Sequence, residues 1–286
     1  LYLEPTSHCN LQCTTCMRQQ WEIISNGELD MNLFQNLLEQ MKAFPNLERV
    51  HLGGYGEPLA HSRALEIIHR LSEAGYLVSM NSNGTLLTPE VSRELIKSGV
   101  QMIYFSVDGL DSDMYGKIRV QGKYEEVIEN IKALRRLKKK MKVYNPKIGL
   151  EFVMMRSNVD QLPQIPKLAK ELGAPEVLIT NLLAHSQEMY EEVLYDNPGE
   201  DRSLGGGLLA PPGWVKDRGE IKIPEPIIWP AVEQDFVLWG TMRLPRMYWG
   251  SSRRCSFVDN NALVVRHDGM VSPCLALLYS YPYILD

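Results

Sequence analysis

The stretch Leu77-Val78-Ser79-Met80-Asn81-Ser82-Asn83-Gly84, followed by Thr88-Pro89 and closed by Gly99 ahead of Met102–Val107, decides the fold. Leu77–Asn81 reads as a strand running into a polar turn. Thr88 is an N-cap with proline at the first helical position, and Gly99 is the stop. A second apolar run, Met102–Val107, follows at once. One strand, one crossover helix and a return strand make a parallel unit.

The same unit recurs on both sides. The other strand candidates are Leu1–Pro5, Arg49–Gly53, Ile148–Met155 and Val177–Asn181. A helix capped by Asp30 carries Leu33, Leu37, Leu38 and Met41 on one face. Another carries Leu65, Ile67, Ile68 and Leu71 and ends before Gly75. Tyr124 to Met141 and Leu162 to Gly173 complete the series. The run Arg135-Arg136-Leu137-Lys138-Lys139-Lys140 reads as a solvated face near a helix C-terminus, where the dipole favours cations. Six units are too few for a closed eight-fold barrel. They predict an α/β fold, an open (β/α)6 TIM-like barrel over residues 1–185, with ligands at the C-terminal ends of the strands.

Composition narrows the class. The chain has 286 residues, 44% hydrophobic and 23% charged, as ordinary globular chains do. Thirty Lys and Arg against 35 Asp and Glu leave a net charge of −5, too mild for a nucleic-acid binder acting through bulk charge. No run of about 18 apolar residues is present, so no membrane span is expected. Residues 186–250 lose the alternation and are rich in Pro, Gly and Trp. They read as an insertion or linker.

The five cysteines stand at 9, 13, 16, 255 and 274. A disulfide framework does not suit so few in so long a chain. Cys9, Cys13 and Cys16 form C-x3-C-x2-C directly after the first strand, where the barrel places its ligands. Three close thiolates can ligate three irons of a cubane and leave the fourth open. A zinc site completed by His8, or unrelated buried thiols, are the other readings.

This spacing in this place resembles the radical S-adenosylmethionine (SAM) enzymes. The resemblance covers about residues 1–180 and resumes near 255. It implies a [4Fe–4S] cluster on Cys9, Cys13 and Cys16, with SAM chelated to the unique iron. One-electron cleavage of SAM would give methionine and a 5′-deoxyadenosyl radical that abstracts a substrate hydrogen. Gly53-Gly54-Tyr55-Gly56-Glu57-Pro58 looks like the family's glycine-rich loop for the methionyl ammonium, with Gly54, Gly56, Glu57 and Pro58 as contacts and Tyr55 as an insertion. Ser82 and Asn83 resemble its ribose-contacting segment. Ser106, Asp108 and Arg119 resemble a run in which the serine lies near SAM and the arginine near its carboxylate. Plain turn, capping or surface roles are open for each, and Asn158 suits a turn role at least as well. Thr15 stands where the family often has an adenine-stacking aromatic residue.

Cys255 and Cys274 are related by C-x13-G-x4-C across a β-hairpin with Asp268-Gly269 at its turn. This resembles the opening of the auxiliary iron–sulfur extension called SPASM, and residues 251–286 would be its start. We expect further ligands beyond Asp286; an incomplete extension, or two buried or incidental cysteines, are the other readings. Enzymes with this extension mostly modify peptides or proteins or build peptide-derived cofactors. The block Arg243-Leu244-Pro245-Arg246-Met247-Tyr248-Trp249-Gly250, with Arg253-Arg254-Cys255, resembles the maturases of tungsten-containing oxidoreductases. The resemblance further implies an electron donor such as ferredoxin or flavodoxin and a reducing, cytoplasmic setting. A small-molecule route of the molybdopterin or haem type, and a non-catalytic zinc protein, are the alternatives.

Overall fold

The computed structural model describes residues 1–19, 26–184, 186–193, 242–243, 261–275 and 278–279. Six strands run parallel in chain order: β1 (Tyr2–Leu3), β2 (Arg49–Leu52), β3 (Leu77–Ser82), β4 (Met102–Ser106), β5 (Lys147–Met154) and β6 (Glu176–Asn181). The sheet continues at both ends. β7 (Met242–Arg243) lies parallel to β6, β8 (Val264–Val265) parallel to β1, and β9 (Val271–Ser272) antiparallel to β8. The expected hairpin is therefore present, and it belongs to the barrel sheet itself.

The crossover helices are α1 (Met31–Met41), α2 (Ala64–Glu73), α3 (Pro89–Lys97), α4 (Ser112–Ile118), α5 (Tyr124–Met141), α6 (Ile165–Leu172) and α7 (Gln187–Glu191). Asp30 caps α1 by accepting from the amides of Asn32 and Leu33, and Thr88 caps α3 by accepting from Val91. The basic run closes α5 with Lys138, Lys139 and Lys140 in its last turn.

Alternation along the strands separates two faces. Leu3, Val50, Leu52, Val78, Met80, Ile103, Phe105, Ile148, Leu150 and Phe152 are buried against the helices with Phe34, Ile67, Leu71, Leu95, Ile131 and Leu134. The opposite face carries Tyr2, His51, Ser79, Asn81, Tyr104, Ser106 and Glu151, aligned by the strand register. A barrel interior is usually filled by branched apolar side chains. Here it is polar from β2 to β5.

Two local differences from the sequence reading have physical causes. The helix expected from Leu162 starts at Ile165, behind a 3-10 segment Val159–Gln164 that contains Pro163. The short α4 is not among the helices expected from the sequence, and Asp111, Ser112, Asp113 and Gly116 are weak helix formers. Asp111 makes it a helix by accepting from the Met114 amide at 2.8 Å. No helix among the described residues is long and apolar enough to cross a membrane. Residues 194–241 and Cys255 lie outside the described residues.

Candidate functional site

The three-cysteine loop lies at the C-terminal end of β1 and is held by backbone. Gln12 N donates to Val120 O at 3.1 Å and Thr14 N to Ile118 O at 2.9 Å, so the loop docks on the end of α4. Cys13 is buried, and Cys9 and Cys16 are half-buried. All three are free thiols. Burial pushes each thiol up, Cys16 to about 11.

Donors converge on the sulfurs. Leu11 N donates to Cys9 Sγ at 3.4 Å, and Asn83 Nδ2 approaches the same sulfur at 3.8 Å. Arg119 Nη1 lies 3.9 Å from Cys13 Sγ. Among the described residues no three His, Cys, Asp or Glu side chains converge on a single ion, and His8 is exposed. Thiolates of a cubane each bind a different iron and need not converge on one point. Three free thiols with N–H donors and a guanidinium around them fit such a cluster, whose potential and charge are set by donors of this kind.

The glycine loop follows β2 and runs against the cysteine loop. Glu57 N donates to His8 O at 2.8 Å. A Cβ on Gly56 would lie 1.9 Å from Thr6 O, and one on Gly54, at φ +154°, would lie 2.5 Å from Glu4 Oε1. Only glycine allows this approach. Pro58 starts a short 3-10 turn, Pro58–Ala60, and is buried.

Glu57 is 3% exposed, and its carboxylate accepts from Ser82 Oγ at 2.9 Å, Asn83 N at 2.7 Å and Leu59 N at 3.2 Å. Burial raises its carboxyl. It ties the loop after β2 to the loop after β3. Ser82 also accepts from Gly84 N at 3.1 Å. Asn83 donates to Asn10 Oδ1 at 3.0 Å and accepts from Thr85. The polar groups of Ser82 and Asn83 thus bond within the protein, and Asn83 reaches the cysteine loop at Asn10 and Cys9.

Asp108 is wholly buried and holds Arg119, with Nη2 at 2.5 Å and Nε at 2.7 Å from Oδ2. Its Oδ1 accepts from Val153 N at 2.9 Å. This fork-and-carboxylate pair fixes the guanidinium beside Cys13. Asn158 accepts from Met155 N and donates to Asp108 O and Val153 O, which is the turn role.

The sequence reading missed several groups. Glu151 on β5 accepts from Asn81 Nδ2 at 2.7 Å and Ser106 Oγ at 3.4 Å on the polar inner face. Burial, with the charge of Asp108, pushes its carboxyl up to about 7. His51 contacts Ser79 Oγ at 2.9 Å, and burial lowers it to about 4, so it is neutral near pH 7. Inward register positions on β2 and β5 were the signal for both. Glu4, directly after β1, is wholly buried next to Gly54. Cys274 is half-buried in the segment after β9.

The chain matches the model of the Radical SAM superfamily over residues 3–150. It is 31% identical over 281 residues to the tungsten-containing aldehyde ferredoxin oxidoreductase cofactor-modifying protein of Pyrococcus furiosus, covering 98% of this chain and 72% of that protein. It is 28% identical over 172 residues to the AdoMet-dependent heme synthase of Methanosarcina barkeri, covering 60% of this chain and 47% of the synthase. Among solved structures, Streptococcus suis SuiB bound to S-adenosylmethionine superposes with a TM-score of 0.66 at 13% identity, over 98% of this chain and 60% of SuiB. AnSMEcpe with bound AdoMet superposes at 0.64 and 19% identity, over 98% of this chain and 75% of that one. Those two share the fold. On the family match over residues 3–150 and the 31% identity to the Pyrococcus protein along 98% of this chain, this chain is an enzyme of the radical SAM superfamily.

Proposed function

We propose that the chain binds a [4Fe–4S] cluster and SAM and acts as a maturase, modifying a protein, a peptide or a cofactor precursor of a tungsten-containing oxidoreductase. The observation that carries this reading is the three-cysteine loop at the end of β1, tied through Asn83 and Glu57 to the glycine loop. The likeness to a tungsten-oxidoreductase cofactor-modifying protein along 98% of the chain supports the target class.

A cluster on Cys9, Cys13 and Cys16 with SAM supplies, when bound, one-electron cleavage of the SAM carbon–sulfur bond and a radical that takes a substrate hydrogen. The protein's own part is positioning. Arg119, fixed by Asp108, keeps a positive charge beside Cys13. Gly54 and Gly56 bring backbone close to the cysteine loop, and Glu57 with Pro58 fixes its path. Ser82, Asn83 and Ser106 orient the surrounding loops. Cys255 and Cys274 begin an auxiliary iron–sulfur site in this reading, and residues 186–250 form the substrate-side insertion. The electron donor is a ferredoxin or flavodoxin, and the setting is the reducing cytoplasm.

A small-molecule route is the second reading, favoured by the likeness to a haem synthase over 172 residues of this chain. Anaerobic iron–sulfur reconstitution tests the shared first step. We expect a brown protein absorbing near about 400 nm with roughly three or more irons per chain. Uptake of one zinc and no iron would end the reading. Incubation with the tungsten oxidoreductase precursor, SAM and reductant, read by mass spectrometry, separates the two substrate classes.

A further inference from the structure

Tyr55 is the residue inserted between the glycines of the loop after β2, and its side chain leaves that loop. Its hydroxyl donates to Leu275 O at 3.1 Å, in the segment directly after Cys274. Its amide donates to Glu4 Oε1 at 2.8 Å. The other oxygen of Glu4 accepts from Tyr279 Oη at 2.5 Å, and His267 Nδ1 of the hairpin turn stands 3.5 Å away. The Tyr55 and Tyr279 rings pack at 5.8 Å, and Arg266 covers Tyr279 at 4.8 Å. Met17, next to Cys16, is wholly buried in one cluster with Val264, Leu278 and Tyr279. The Tyr55 phenol, pushed up chiefly by burial, also lies within the electrostatic reach of both Cys16 and Cys274.

A buried carboxylate thus binds the glycine loop with one oxygen and the C-terminal segment with the other. A chain of hydrogen bonds in a low-dielectric interior transmits position better than isolated surface contacts. We propose that Tyr55 is a positioning residue that joins the segment after β9, which bears Cys274, to the glycine loop, so that this segment sets the affinity of that loop for SAM. This rests on the SAM-binding reading above.

The test uses the full chain, reconstituted anaerobically, with SAM affinity measured by equilibrium dialysis and the reduced cluster followed by electron paramagnetic resonance. Tyr55→Phe keeps the ring and removes the bond to Leu275. We expect SAM to bind about five- to tenfold more weakly, the worth of one buried hydrogen bond. Iron content stays at the wild-type level, and the spectrum reaches the wild-type form at saturating SAM. Tyr279→Phe leaves the glycine loop's sequence intact and decides the matter if Tyr55→Phe fails to fold. It weakens SAM to a similar degree, and the double variant adds less than the sum.

Wild-type SAM affinity per loaded cluster in these variants overturns the inference, even with a lowered melting temperature. Failure of the wild-type chain to bind SAM would instead sink the SAM-binding reading. Wild-type binding with no difference in the variants sinks only the role of Tyr55.

Discussion

Glu57 shows how a residue can matter to a site through what it holds. Three hydrogen bonds end on its buried carboxylate, one from Ser82 at the end of β3 and one from Asn83 in the loop that follows. Glu57→Ala leaves the Ser82 hydroxyl and the Asn83 amide without an acceptor. It should cost about 2–4 kcal/mol in urea unfolding and lower the cluster content of the chain that still folds. Glu151 carries a pH signature. Its carboxyl keeps its proton to about 7 in the fold, against 4.5 ordinarily. Between those values the native state binds more protons than the unfolded one, so stability falls as pH rises. Thermal melts of the metal-free chain should show this decline, and Glu151→Gln should flatten it. Parallel profiles would contradict the assignment. In the metal-free chain the raised thiols act in the same sense at higher pH. Ligation removes their protons, so iron uptake at fixed iron should increase with pH.

At the scale of elements, α4 anchors the cysteine loop. Ile118 and Val120 at its end accept from Thr14 and Gln12, and Asp111 caps its start. Asp111→Ala should cost about 1 kcal/mol in urea unfolding, and the cysteine loop should become more open to protease. Gly56→Ala is a harsher change, because Thr6 O lies 1.9 Å from the added carbon. Backbone must move, and the variant should lose SAM binding outright. The six barrel strands and the caps Asp30 and Thr88 were legible because each is encoded locally, by alternation or by one side-chain acceptor. The chemistry-bearing loops were legible by position, as the segments after β1 to β4. What those loops do with their polar groups was not. Ser82 and Asn83 have hydroxyl and amide groups fit for a sugar, and only tertiary distances show them bonded to Glu57 and Asn10. Glu4 and Glu151 were missed for the same reason, since a single acid in a strand or just past its end carries no period.

Over the whole molecule, the sheet joins parts that are remote in sequence. β8 pairs with β1, so the hairpin is a continuation of the barrel edge next to the cysteine loop. Val264 is wholly buried there with Met17 and Tyr279. Val264→Ala should cost about 1–2.5 kcal/mol and loosen both the hairpin and the cysteine loop.

The central claim is that the three-cysteine loop supports radical generation from SAM. The direct measurement is the yield of 5′-deoxyadenosine from the reconstituted chain given SAM and dithionite. We expect slow turnover in the wild-type chain and none in Cys13→Ala; an unchanged yield from Cys13→Ala would contradict the account.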